Sequence, residues 1–160
     1  MLTIMATKKD IVTALAEADI GLGIDVKGLG LLADMGSLLT LEPGEYLTEE
    51  GSEGHHIYFI VSGRVEVQIC LDDNDTHSGT LMIHPGSIIG EMSVLEQTQR
   101  TASSKVLDST TLLCMRDQDL WDLFEREPML GYQFMRNTAT ILSRRLRMTN
   151  LLVRSNLYKD

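Results

Sequence analysis

A mainly β fold with flanking α-helices, built as a sandwich or jelly-roll-like barrel, follows from three observations on this 160-residue chain. Between Ser37 and Met115, short β-compatible runs recur between turn residues. On both sides of that stretch the apolar residues change to helical spacing. The length also suffices for one domain with its own core, since chains of this size bury roughly 70% of the surface that the unfolded chain exposes.

Residues 1–36 are expected to form an N-terminal helical segment. In TKKDIVTALAEADI, Thr7 to Ile20, apolar residues fall at 11, 12, 15, 16 and 20 among good helix formers. The following GLGIDVKGLG carries four glycines in ten residues, which predicts a loop and then a short helix over Leu31–Gly36. Residues 37–116 supply the strands: LLTLEPGEYL, HIYFIVSGRVEVQICL, TLMIHPG and ASSKVLDSTTLLCM. Ser62-Gly63 splits the second run into two strands. Val65, Val67 and Ile69 then alternate with Arg64, Glu66 and Gln68, so one face is wet. DDNDTHSG is expected to be a hairpin loop, and Pro43-Gly44 and Pro85-Gly86 punctuate two further turns.

Residues 117–160 return to helical spacing. RDQDLWDLFERE predicts a helix with Asp117 at its N-cap, Trp121 and Phe124 in the core and Pro128 at its end. A long helix from Leu130 to about Asn156 follows. Its seam of Met135, Ala139, Leu142, Leu146, Thr149 and Val153 repeats 4-3-4-3-4, the a/d spacing of a coiled coil. That face either pairs with a second copy or packs on its own barrel.

Composition narrows the function classes. Cys70 and Cys114 sit in apolar strand-like runs, outside any CxxC or Cys/His cluster, and are expected to be reduced thiols. No signal-peptide pattern opens the chain and no window approaches eighteen apolar residues, which predicts a cytoplasmic protein without a membrane anchor. Net charge of −9 disfavours general nucleic-acid binding. The charge is uneven: residues 1–135 hold 8 Lys/Arg against 22 Asp/Glu, while residues 136–160 hold 6 against 1. The basic end around RRLR is either a phosphate-contacting face or the solvated back of an amphipathic helix. His55, His56, His77 and His84 are adjacent or far apart and make a poor metal set, so no metal is expected. Ser62 has no evident His/Asp partners, and no catalytic residue is assigned.

The segment IIGEMSVLEQTQRTA, Ile88 to Ala102, carries the chemistry. Gly90 permits a strand-to-helix turn in which backbone N–H groups approach an anion, with the first donors on Met92 and Ser93. Glu91 is placed to accept from hydroxyls, and Arg100 on the returning strand to hold an anion bidentately. A carboxylate for hydroxyls with a guanidinium for phosphate suits a ribose phosphate. Alternatively, Glu91 and Arg100 simply pair with each other.

Residues 88–102 resemble the phosphate-binding cassette of the cyclic-nucleotide-binding domain family, Phe-Gly-Glu-x-(Ala/Ser) followed by Arg-(Ser/Thr/Ala)-Ala. PGEYLTEEGSEG and IYFIVSGRVEV are similar to two earlier turn and hairpin motifs of that family, and the likeness covers about Leu31 to Asn150. It departs at Ile89, where many members carry Phe, with apolar bulk kept. The resemblance implies a β-roll that binds cAMP or cGMP, with Glu91 on the ribose 2′-hydroxyl and Arg100 on the cyclic phosphate. Thr101 would take a phosphate oxygen or a guanine edge, and Gly90, Met92 and Ser93 would supply backbone contacts.

Thr101 is compatible with either purine. RRLRMTN resembles the matching helix of the catabolite activator branch, in which a threonine and the following serine, the latter from the partner subunit, contact adenine. Thr149 matches that threonine and Asn150 stands at the serine position, which favours cAMP and a homodimer through this helix. In that branch a DNA-reading domain follows. The sequence ends at Asp160, about where it would begin, so no direct DNA binding is expected and output would pass to a protein partner or through self-association. The alternatives are a cGMP-binding domain, a scaffold of the same fold that binds no nucleotide, a binder of another anionic effector, and a cupin-type enzyme, whose spaced His/Glu metal set the sequence lacks.

Overall fold

The computed structural model describes residues 6–70 and 77–157. Two short helices open the chain. In α1, Lys8–Glu17, the Thr7 side chain caps the Asp10 N–H and the Asp10 carboxylate returns to the Thr7 N–H, a reciprocal capping box. A 3-10 turn over Asp19–Gly21 leads to α2, Val26–Met35, capped by Asp25 on the Gly28 N–H. The expected loop through Gly28 and Gly30 is therefore helix. At Gly28 a Cβ would come within 2.8 Å of Ile24 and 3.1 Å of Leu130, so close helix packing takes up the glycine that the sequence suggested was a breaker.

Eight strands form two four-stranded sheets: β1 Ser37–Leu41, β2 Tyr46–Thr48, β3 His56–Ser62, β4 Val65–Cys70, β5 His77–Ile83, β6 Ile88–Ile89, β7 Ser103–Val106 and β8 Thr110–Arg116. One sheet has the order β1-β8-β3-β6 and the other β2-β7-β4-β5, with antiparallel pairing at every neighbour. Between the sheets lie Ile60, Val65, Ile83, Ile89, Val106 and Leu112. The Ser62-Gly63 split holds, with Gly63 at φ 91° and no room for a Cβ against Thr110. Strand β5 already begins at His77, so the loop expected to run through Gly79 is shorter, and its residues 72–76 lie outside the described residues.

The C-terminal helices are α4, Asp117–Arg126, and α5, Pro128–Leu157. The N-cap of α4 is Arg116, one residue earlier than expected. Asp117 is the first helical residue, and its carboxylate accepts from the Gln118 N–H and lies 3.1 Å from the His55 ring. Pro128 starts the second helix rather than merely ending the first, since its missing N–H is harmless there. A second core, containing Leu15, Ile20, Leu32, Phe59, Leu113, Leu120 and Phe134, joins all these helices to the first sheet. Trp121 and Phe124 are half-buried and pack against it.

Asn137 is 94% buried on α5, because it is only 6% exposed, and its amide donates to the carbonyls of Ile20 and Leu22 at 2.8 Å each. Next to it Gln133 donates to the Leu22 carbonyl, and farther along Arg144 pairs with Asp19. The long helix is thereby tied to the 3-10 turn, which aims its second half across the mouth of the roll.

Candidate functional site

Between the β2-β7-β4-β5 sheet, the segment 88–102 and α5 lies a cavity of about 570 Å³. Strand β6 ends at Gly90, whose φ of 89° turns the chain into the short helix α3, Glu91–Glu96. A Cβ at Gly90 would collide with the Arg100 guanidinium and come within 2.6 Å of the His56 carbonyl oxygen, so both the turn and the packing demand glycine. The first turn of α3 leaves the N–H groups of Met92 and Ser93 without intrahelical acceptors at the cavity wall. The Ser93 hydroxyl itself is buried and donates to the Gln99 carbonyl, so its side chain shapes the loop. Met92 is 43% exposed.

Arg100 is 5% exposed, and its backbone is held by Ser52 and Gly51 through two 2.8 Å bonds. Its guanidinium donates to the carbonyls of Gly90 at 3.1 Å and His56 at 2.9 Å, and its carbon lies 5.6 Å from the centre of the Tyr58 ring. Those contacts use backbone oxygens and an aromatic face, not a carboxylate, so among the described residues no side-chain anion offsets the guanidinium, and further N–H donors remain for the cavity that it lines. Burial, and then the Arg100 charge, push the His56 imidazole below its ordinary value, while burial pushes the Tyr58 phenol and the Cys114 thiol up.

Glu91 is 2% exposed and does not pair with Arg100. Its Oε1 accepts from Nη1 of Arg145 at 2.5 Å, and Nη2 of the same guanidinium donates to the Ile88 carbonyl at 2.6 Å. The expected alternative of a Glu91–Arg100 pair is therefore corrected: the carboxylate is compensated from α5, and the two charges of the cassette stay apart. Arg145 was legible only as part of a basic run. Its position one helical turn before Thr149 is the signal that both share a face. Of the basic run, Arg145 is committed to the buried Glu91, whereas Arg144, in a surface pair with Asp19, and Arg147 lie on the solvated side of the helix.

The other expected residues divide. Thr101 lines the cavity and is exposed. Thr149 also lines it from α5, and its hydroxyl donates to the Arg145 carbonyl at 3.1 Å. Asn150 is exposed and stands outside the cavity of its own chain, since one residue along a helix turns the side chain by about 100°. Sequence reasoning missed the apolar lining from Val67, Leu81, Leu142 and Leu146, and the buried hydroxyls of Thr48 and Ser104. Of the heptad seam, Met135 packs on the helical core and Leu142, Leu146 and Thr149 face this cavity, while Leu146 remains 62% and Val153 51% exposed. Among the described residues no group of His, Cys, Asp and Glu side chains is arranged to hold a metal, and no helix is long and apolar enough to cross a membrane.

A glycine turn with unpaired N–H groups, a buried guanidinium and a separate buried carboxylate coincide with a sequence match to the cyclic nucleotide-binding domain over residues 38–127, more than half of the chain. The chain belongs to the cyclic nucleotide-binding domain family. It is 33% identical over 113 residues to the cyclic AMP receptor protein of Thermus thermophilus, a match covering 68% of this chain and 48% of that protein. It is 26% identical over 146 residues to a CRP-like cAMP-activated global transcriptional regulator of Mycobacterium tuberculosis, covering 91% of this chain and 63% of that one. The domain thus spans about half to under two thirds of these relatives. Its fold is similar to the crystal structure of the Thermus thermophilus catabolite activator protein, with TM-score 0.73 and 27% identity over 86% of this chain and 62% of that chain. A cyclic nucleotide-binding domain from Methylobacillus flagellatus superimposes with TM-score 0.81 at 20% identity, over 93% of this chain and 83% of that one. Two packed sheets, N-terminal helices and a long C-terminal helix are the architecture of the family.

Proposed function

We propose that this domain is a non-catalytic cAMP receptor, in which nucleotide binding changes the seating of α5 and signals through a second copy of the chain or another protein. The observation that carries the receptor assignment is the separation of charges in one cavity: Arg100 held by carbonyls, Glu91 held by Arg145. Arg100 and the donors of Met92 and Ser93 would take the cyclic phosphate, and Glu91 the ribose 2′-hydroxyl. The base would lie between Val67 and Leu81 on the sheet side and Leu142 and Leu146 on the helix side.

Adenine is favoured by the state of Thr149. Its proton is engaged by the Arg145 carbonyl, so the hydroxyl faces the cavity as an acceptor. The 6-amino group of adenine donates to such an oxygen, whereas the 6-oxo group of guanine would meet it lone pair to lone pair.

The same helix carries the switch. Arg145 and Thr149 lie one turn apart on α5, one bound to the cassette and the other at the base, so a ligand that touches both biases the helix position by differential affinity. Exposed Leu146, Leu151 and Val153 give α5 the apolar surface for a dimer contact. Light scattering with and without nucleotide tests this, and a monomer in both states would remove the dimer from the proposal. Calorimetric titration with cAMP and cGMP tests the receptor assignment itself. Tighter binding of cAMP is expected; no heat from either at high micromolar ligand would refute it in favour of a scaffold.

A further inference from the structure

The sheet under the cavity has an unusual row. Thr48 of β2 is the cross-strand partner of Ser104 of β7, Ser104 is the partner of Val67 of β4, and Val67 is the partner of Leu81 of β5. All four line the cavity. One level of the floor is therefore half hydroxyl and half aliphatic, with neighbours about 4.8 Å apart across the strands.

The hydroxyl half is buried: Thr48 is 7% exposed and Ser104 2%. Strand alternation puts Ser104 on the same inward face as Val106, on an inner strand of the sheet. Thr48 donates to the Ala102 carbonyl at 3.4 Å, so its proton is directed and its lone pairs are free to accept. Among the described residues nothing donates to or accepts from the Ser104 hydroxyl, which is not sealed off from the cavity. A hydroxyl open to the cavity with no partner in the chain is completed by whatever fills the cavity, water or a bound molecule.

We infer that Ser104, with Thr48 beside it, is a base-reading subsite on the cavity floor, where the Ser104 hydroxyl donates to a ring nitrogen of the nucleotide base. The neighbouring Val67 and Leu81 carry the apolar part of the base, one strand spacing away. Two hydroxyls then read the base from opposite walls: Thr149 as an acceptor from α5 and Ser104 as a donor from the sheet. This second contact reaches the base without involving the movable helix, so it contributes to selectivity whether or not α5 is seated. It rests on the receptor proposal above.

The test is a chemical cycle on the full chain. Affinities of cAMP and its 1-deaza, 3-deaza and 7-deaza analogues, in each of which one ring nitrogen becomes C–H, are measured for the wild type and Ser104→Ala. Loss of the contact is expected to weaken cAMP about tenfold in the variant, the scale of one hydrogen bond. One analogue should bind the wild type about as weakly as cAMP binds the variant, and that analogue should lose nothing further in the variant, since both changes remove the same bond. Thr48→Val is expected to narrow the preference for cAMP over that analogue, with circular dichroism confirming the fold of each variant. If Ser104→Ala leaves cAMP affinity unchanged, or weakens cAMP and all three analogues by the same factor, the subsite is wrong while the receptor assignment stands. Should the wild type bind none of the four compounds, the receptor assignment falls and the subsite with it. Should Ser104→Ala fail to fold, the cycle is run on Ser104→Cys, which stays close in volume and is only a weak donor, and the same pattern decides.

Discussion

Replacing Arg145 by Met should destabilise the free domain more than any change in the basic run of α5 would suggest from sequence. Glu91 is 2% exposed, and its carboxylate is compensated by a single guanidinium whose side chain is 29% exposed. Removing one partner of a fully buried pair costs about 3–5 kcal/mol, because the remaining charge is left without water or counter-charge. Here one end of the pair reaches solvent, which lowers that figure, while the lost bond to the Ile88 carbonyl adds back about 1 kcal/mol. The balance is about 2–3 kcal/mol, which for a chain of this length corresponds to a fall in melting temperature of roughly 5–10 °C. Met keeps the apolar stem, so packing loss contributes little. Thermal and urea unfolding at neutral pH measure it. Glu91→Gln removes the orphaned charge, and the double variant should therefore be more stable than the sum of the single losses by about 1–3 kcal/mol. A melting temperature within about 1 °C of wild type for Arg145→Met, or strict additivity with Glu91→Gln, would refute the view that Arg145 compensates a buried carboxylate.

Three further outcomes are expected. Arg100→Leu should cost at least about 2–3 kcal/mol of cAMP affinity, since it removes a buried cation and leaves the Gly90 and His56 carbonyls without their donor; near-wild-type affinity would make Arg100 purely structural. Thr149→Ala should weaken cAMP more than cGMP, and equal losses in parallel titrations would contradict the adenine assignment. His56 is held below its ordinary value of 6.5 by burial first and by Arg100 second. The unfolded chain then takes up a proton below pH 6.5 that the folded chain resists, so stability falls as pH drops from 6.5 toward the depressed folded value and is insensitive to this group above it. His56→Gln should flatten that part of the stability profile, and an unchanged slope would assign the acid sensitivity to other groups.

Local chemistry carried much of what could be read beforehand. Gly90, Glu91 and Arg100 were recognisable because the constraints on them are short-range: a left-handed turn needs glycine, a helix start exposes donors, and a carboxylate nine residues from a guanidinium fits one looped segment. Strand alternation around Ser62-Gly63 and the long helix were legible for the same reason. Where neighbours distant in sequence compete, local propensity misleads. The glycines of α2 looked like breakers, and became helix because Leu130 packs against Gly28 across a hundred residues. Nothing in the local spacing marked Asn137, which is buried on α5 and donates to the carbonyls of Ile20 and Leu22 more than a hundred positions away.

The amino-acid sequence by itself determined the succession of helix, strand and helix, and the glycine turn into α3 with the residues that form it, because periodicity and backbone preference act over a few positions. Tertiary structure alone decided which charge answers which. In sequence Glu91 had one evident partner, Arg100 nearby. Folding brings Arg145 across 54 positions to the carboxylate and leaves Arg100 to backbone carbonyls. The floor of the cavity is likewise a product of pairing: Thr48, Ser104, Val67 and Leu81 come from four strands, and only the register of the sheet sets them in one row. Burial energy depends on who is adjacent in space, and adjacency between strands is not written in the spacing along any one of them.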